Sequence, residues 1–519
     1  MAKRTNDLFF LIKSLTHSEH NALFEESWKS RHSNFTSKNL PNYIRFAQFL
    51  KTQTRYNDQE AKVYMGYNKF APPVWRALKR DTLNRVLAAI DYANGSKTGR
   101  AKVQKAPEQI RQLIEKRIWT RADKVAKKHV EIASRIEQFE NLLQLLQLRS
   151  QIVTHSYPGN EVEKQLEAIH FTRKLARDKH ANIEQLQDIY FELRSIARSD
   201  KARREEGINR ILQSPPIGNK DVKGIRAEMY YWLIRRVGNR ILKNTPGYLE
   251  AIDGGVLFYE ENEKFWGDFE FRSFGVQFLS DLAVFSSMAH AFEKAEIAIR
   301  KLEVIRNLKK VSPLEDIELQ GRVFMLQMFF SQYSRNREKM EQLAKDFLLW
   351  HKEKPDIISE DLRLRIYHIA SLNAFYLGNY SDCIRLSHVL RTKSPSVFRP
   401  QITSFGWVFY IIVRLVQKEY DLIKVELTAI KRYLFQFDSN NKVYQLIFDL
   451  GKKLTSKNPS PAPRVLVRGT GEKVRELVAA PSHKRLEALF PFAAWCDCLN
   501  SDKCWDNLLE VATAPVISL

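Results

Sequence analysis

Three cysteines near the end of the chain, Cys496, Cys498 and Cys504, stand as C-x-C-x5-C, with His483 before them. Three thiolates and an imidazole are a chemically sensible zinc set. The spacing is not that of paired C-x-x-C knuckles, and Pro491 separates His483 from the thiols, so small buried thiols on a C-terminal helix are the better expectation. Other catalytic patterns fail on spacing. Gly469-Thr470-Gly471-Glu472-Lys473 is too short to cradle a phosphate, and no G-x-S-x-G or G-x-G-x-x-G follows a strand. His17 and His20 lie three apart, not in an H-E-x-x-H arrangement. The adjacent acids Glu25-Glu26 and Glu260-Glu261 point to different sides of a helix. No catalytic, cofactor-binding or metal-binding residue is assigned, no cofactor is expected, and the chain reads as a non-enzyme.

The basic side chains are more informative. Arg117, Arg121, Lys124 and Lys128 recur at helical steps, opposite Ala122, Val125, Ala126 and His129. Arg76, Lys79 and Arg80 share another helix face, with Tyr43, Tyr64, Tyr67 and Phe70 nearby. Such surfaces can follow a phosphate backbone and stack on bases. These seven cations form the candidate polyanion-binding set. The competing reading is simpler: the rings are core and the cations face water. The chain holds 83 Lys and Arg against 60 Asp and Glu, a net charge of +23. Residues 1–130 hold 26 of the cations and only 11 of the acids, so a surplus of 15 sits in a quarter of the chain. Nucleic acid is therefore one expected class of partner.

The elements that carry these residues must be helices. Gly 19 and Pro 18 make 37 of 519 residues, against an average near 12% for the two together. Few turn formers in a long chain favour helices over hairpin-rich sheets. The length suggests several domains or an extended repeat array. Thr16-His17-Ser18-Glu19 reads as a capping box. Pro72 and Pro73 suit the first turn of a helix that turns Val74, Trp75, Leu78, Val86, Leu87 and Ile90 inward. The predicted organisation is a basic helical module over 1–94, a linker over 95–106, a helical array over 107–454, a Pro-rich linker over 455–483 and a capping segment over 484–519. The apolar runs Leu8–Ile12 and Trp407–Val413 are too short to span a membrane, and four cysteines do not make a disulfide scaffold, so a cytoplasmic setting is expected.

From Tyr367 the chain resembles a tetratricopeptide repeat. Tyr367 holds the large aromatic position, and Ala370, Ser371 and Ala374 are small residues at the helix contact. Leu377-Gly378-Asn379-Tyr380 is the turn; Cys383 and Ser387 are small positions of the second helix, closed by Leu390 and Pro395. A second match has Trp407 as its aromatic and its turn at Gln417–Tyr420. A weaker third has its turn at Ser334-Arg335-Asn336. The layout is also similar to large helical-repeat proteins of bacteria, from which no activity carries over. The resemblance implies an all-α fold: an irregular α-solenoid of tetratricopeptide-like helix pairs, with a helical N-terminal module and a docked C-terminal segment. The function it implies is a non-catalytic protein-interaction scaffold whose inner helices read a protein or peptide. A nucleic-acid-binding protein using the basic N-terminal quarter is the alternative.

Overall fold

The computed structural model describes residues 7–29, 40–53, 55–67, 72–94, 99–197, 201–308, 311–353, 358–392, 400–437, 441–456, 462–479, 490–500 and 505–513. Every regular element among them is helical. The chain divides into two compact units, 1–278 and 279–518.

The first unit opens with α1 (Asp7–Ser14), α2 (His17–Lys29), α3 (Asn42–Thr52), α4 (Asp58–Met65) and α5 (Pro72–Asn94). The capping box forms as expected: the Thr16 amide donates to Glu19 Oε2 at 2.8 Å, and the Glu19 amide to Thr16 Oγ1 at 3.3 Å. These helices close around their own core, which includes Phe9, Leu23, Phe46, Leu50, Trp75 and Val86. Each large apolar side chain so buried contributes ~1.5–3 kcal/mol. On α5 the buried stripe is Trp75, Leu78, Thr82, Val86, Ala89 and Ala93. Val74 and Leu87, expected inside, lie one residue off that stripe and are 45% and 47% exposed.

The first unit continues with α6 (Gly99–Glu115), α7 (Trp119–Arg135), α8 (Phe139–Ser156), α9 (Gly159–Ile196), α10 (Lys201–Gln213), α11 (Pro215–Gly218), α12 (Ile225–Leu242) and α13 (Thr245–Glu261). Residues 99–106, expected as linker, are the start of α6. Burying Val103, Ala106 and Ile110 on one stripe outweighs the Gly-Ser-Lys composition that suggested a loop. Helix α13 runs straight through Gly254 and Gly255, a pair whose composition had blurred the register. A Cβ there would sit 2.3 Å from the Trp232 ring and 2.2 Å from Phe278, so these glycines serve close approach rather than a turn.

Helix α14 (Phe269–Met288) spans the division. The second unit then holds α15 (Phe292–Arg306), α16 (Pro313–Tyr333), α17 (Arg337–Glu353), α18 (Glu360–Tyr376), α19 (Tyr380–Thr392), α20 (Pro400–Val416), α21 (Tyr420–Phe437), α22 (Lys442–Leu454), α23 (Pro463–Ala479), α24 (Phe492–Asn500) and α25 (Trp505–Ala512). Helix α23 corrects the Pro-rich linker expected over 455–483. Pro463 sits at its first turn, where proline starts a helix, and Leu466, Val467 and Val474 are buried beneath it. The described part of the capping segment docks as expected. Phe490 packs against Phe375, Phe405 and Phe409 at ring distances of 5.4 to 6.2 Å, excepting none, and Trp495 is fully buried.

One turn joins many of these helices. Arg117, Glu137, His290, Arg335, Gly378 and Lys418 all have φ between 53° and 76°. In each case that residue's amide bonds three residues back, and the next amide bonds five back. At Gly378 these bonds are to Phe375 (3.0 Å) and Ala374 (2.8 Å). This is the Schellman arrangement, which satisfies the last carbonyls of the outgoing helix. The following helix begins two residues after the left-handed one, at Trp119, Phe139, Phe292, Arg337, Tyr380 and Tyr420. Three residues further on, Ala122, Leu142, Ala295, Met340, Cys383 and Ile423 are each 0–1% exposed.

Candidate polyanion interface

In the N-terminal helices, Asp58 gathers four donors. Tyr56 (2.6 Å), the Trp75 indole (3.0 Å), Lys62 (3.0 Å) and Lys79 (3.1 Å) all reach its carboxylate. Partial burial pushes its pKa upward, but hydrogen bonds from Tyr56, Trp75, Lys62 and Lys79 prevail and hold it well below the usual carboxylate range. Lys79, which also lies over the Trp75 ring, is thus engaged in a structural pair. Arg76 and Arg80 remain exposed. The neighbouring rings are engaged as well: Tyr64 stacks on Phe49 at 4.4 Å, Tyr67 lies 5.9 Å from Trp75, and Tyr43 lies beneath Arg85. Phe70 is outside the described residues.

Helix α7 is oriented by a buried carboxylate. Asp123, 7% exposed, pairs with Lys127 at 2.8 Å and Arg149 at 3.4 Å, and accepts from Tyr157 at 2.6 Å. Burial opposes its ionisation, but the bonds from Lys127 and Tyr157 lower its pKa. Ala122 and Ala126 are fully buried on the same side, while the His129 ring nitrogen lies 2.8 Å from the Val125 carbonyl. The opposite side carries Arg117, Arg121, Lys124 and Lys128, all exposed. The ion pairs of this hairpin among the described residues are Arg111–Glu108, Lys127–Asp123 and Arg149–Asp123, and none takes in those four. Arg100, Lys102, Lys105 and Lys116 on α6 are exposed too.

The repeat positions cluster in the second unit. Tyr367 is buried, its hydroxyl 3.0 Å from a His351 ring nitrogen. Ala370 and Ala374 are buried on α18; Tyr380 is half-buried against Phe375. Trp407 packs 5.5 Å from Tyr433, and Tyr420 is 37% exposed at the start of α21. Pro395 lies outside the described residues. Burial pushes the Cys383 thiol well up, away from nucleophilic behaviour. It also lowers His368, against the Phe405 ring, to about 4, so the ring is neutral at physiological pH. Cys496 and Cys498 are buried free thiols, whereas Cys504 and His483 lie outside the described residues. Among the described residues no group of His, Cys, Asp and Glu is arranged to hold a metal.

Two clusters escaped the sequence reading. Glu137 accepts from the Ile225 and Arg226 amides at 3.0 and 2.8 Å, capping α12 from 88 and 89 residues away. Tyr410 lies between the guanidinium groups of Arg391 (4.1 Å) and Arg414 (5.3 Å), with Glu426 3.7 Å from Arg391 and Glu419 paired to Arg414. No local spacing marks either set. No known protein family, curated protein or solved structure matches this chain. No helix among the described residues is long and apolar enough to cross a membrane.

Proposed function

We propose that this protein is a non-catalytic protein-interaction scaffold, an irregular α-solenoid of tetratricopeptide-like helix pairs. One observation supports the reading above the others. The second helices of the pairs carry apolar side chains on their solvent side: Ile297 and Val304 on α15, Leu349 on α17, and Leu422 and Val425 on α21. Counted from the left-handed turn residue, Ile297 and Val425 occupy the same position of their pairs, as do Val304 and Leu349. Val425 is 80% exposed and Leu349 66%. Apolar groups set in register on solvent faces are what a protein partner covers. The first helices α18 and α20 are almost wholly buried, with Phe490 and Phe492 packed against them. In this reading the partner therefore lies on the second helices, not on the inner ones that the resemblance implied. A reducing cytoplasmic setting fits the free thiols.

The test is affinity purification from the native cell after nuclease treatment, comparing wild type with a Leu422→Ser/Val425→Asp chain. The wild type should retain a defined protein at moderate salt and the variant should release it. An identical set of retained proteins, or a set that nuclease abolishes, would remove the scaffold reading.

A further inference from the structure

Beyond the scaffold reading, we infer that the hairpin α6–α7 is a binding surface for the phosphate backbone of duplex nucleic acid, independent of base sequence. The row Arg117, Arg121, Lys124 and Lys128 covers ~16 Å at 1.5 Å rise per residue. That gives one cation every ~5–6 Å along a rigid rod. Its outward direction is fixed rather than incidental. Counted from the left-handed Arg117, Lys124 occupies the position that Ile297 and Val425 occupy in their own pairs, all of them exposed.

The charge pattern argues against a merely solvating face. Elsewhere the exposed second helices alternate signs, as in the Lys345–Glu341 pair of α17 and the Arg385–Asp382 pair of α19. On α7 the cations are each other's neighbours at i+3 and i+4, an arrangement that destabilises a helix. The repulsion is relieved when a polyanion lies along the row. Base stacking is not part of this surface, because the nearest ring, Trp119, is stacked on His155 at 4.6 Å and 13°. That favours duplex over single strand, whose binders need free rings. Beside the cations stand polar Thr120 and Glu131, not the apolar residues that anchor a helix in a lipid surface.

The experiment titrates salt from about 50 to 200 mM against the full chain and a labelled duplex DNA of about 20 base pairs, read by fluorescence anisotropy. The variant Arg117→Gln/Arg121→Gln/Lys124→Gln/Lys128→Gln should flatten the log-affinity against log-salt slope by about 3–4 units, at ~0.9 per phosphate contact. Its melting temperature should hold or rise, since like-charge repulsion is removed. A control chain loses four exposed cations of the same unit, Lys164, Lys174, Arg177 and Arg240, through Gln, and should keep the wild-type slope. Equal flattening in both chains would mean diffuse attraction to net charge and would overturn the proposal. So would an unchanged slope in the α7 variant. Vesicles of phosphatidylserine and phosphatidylcholine form the last arm: loss of vesicle binding in the α7 variant with DNA binding intact would assign the row to a membrane instead.

Discussion

Gly378 and Arg117 occupy equivalent places in their hairpins, with φ of 76° and 56°. An ideal Cβ on Gly378 would meet nothing within 4 Å, so a substitution there is resisted by backbone conformation alone. Gly378→Ala should cost about 1 kcal/mol and Gly378→Val about 1–3 kcal/mol, because a β-branched side chain tolerates the left-handed region least. Arg117→Gly should run the other way and stabilise by roughly 0.5–1 kcal/mol, the strain relieved less the chain entropy that glycine brings. Chemical denaturation of the three variants checks both signs; destabilisation by Arg117→Gly would show that the turn gains more from the arginine than its conformation loses. The pair also explains what was legible at this scale. Gly378 announced its turn because glycine is the usual left-handed residue. Arg117, Glu137 and His290 carry no such mark, and their turns can be read only from the aromatic that opens the next helix two residues on, at Trp119, Phe139 and Phe292.

Helix α12 begins at Gly224, whose φ of 131° belongs to glycine and which has no side chain to cap the helix. Glu137 supplies the missing cap from the α7–α8 turn, and Asn182 of α9 holds the preceding loop by accepting from the Lys223 amide at 2.8 Å and donating to the Asp221 carbonyl at 3.0 Å. Charge matters here as well as shape, since a carboxylate favours a helix N-terminus. Glu137→Ala should cost about 1–2 kcal/mol as a lost cap. Gly224→Ala should also destabilise, its Cβ falling 2.6 Å from Glu137 Oε1. The two effects should not add, because removing the carboxylate clears the clash, and a double-mutant cycle should give a coupling of roughly 0.5–3 kcal/mol. Additivity within about 0.5 kcal/mol would mean that the carboxylate and the glycine do not act on one another. The sequence could not disclose this contact, since its partners lie 88 residues apart and neither has a local motif. Helices α6 and α23 failed for a different reason: Gly, Ser and Pro composition signalled loops, while the apolar stripes Val103–Ala106–Ile110 and Leu466–Val467–Val474 decided the outcome.

At the scale of the molecule, turn-poor composition and helical stripes made the all-α class legible, because both are properties of the chain summed over many residues. What covers a helix is not such a property. Helices α18 and α20 have apolar or small residues on nearly every side, and that pattern is explained only once the distant Phe490 and Phe492 are seen against Phe405, at 6.2 and 6.3 Å. The segment therefore belongs to the core of the second unit. Phe490→Ala should cost about 3–5 kcal/mol, as for other large-to-small changes in a full core. Phe490→Ala and Phe492→Ala together should cost less than the sum of the two, since the rings are 5.2 Å apart and share one space. A chain ending at Leu454 removes every cover at once and leaves Phe375, Phe405 and Phe409 facing water. It should bind 8-anilinonaphthalene-1-sulfonate, keep far-ultraviolet helical signal and lose cooperative unfolding of that unit, as a packed core without its last layer does. If the shortened chain instead melts cooperatively near the full-length temperature with no dye binding, the segment is an appendage, and the buried faces of α18 and α20 would then be open to a partner after all.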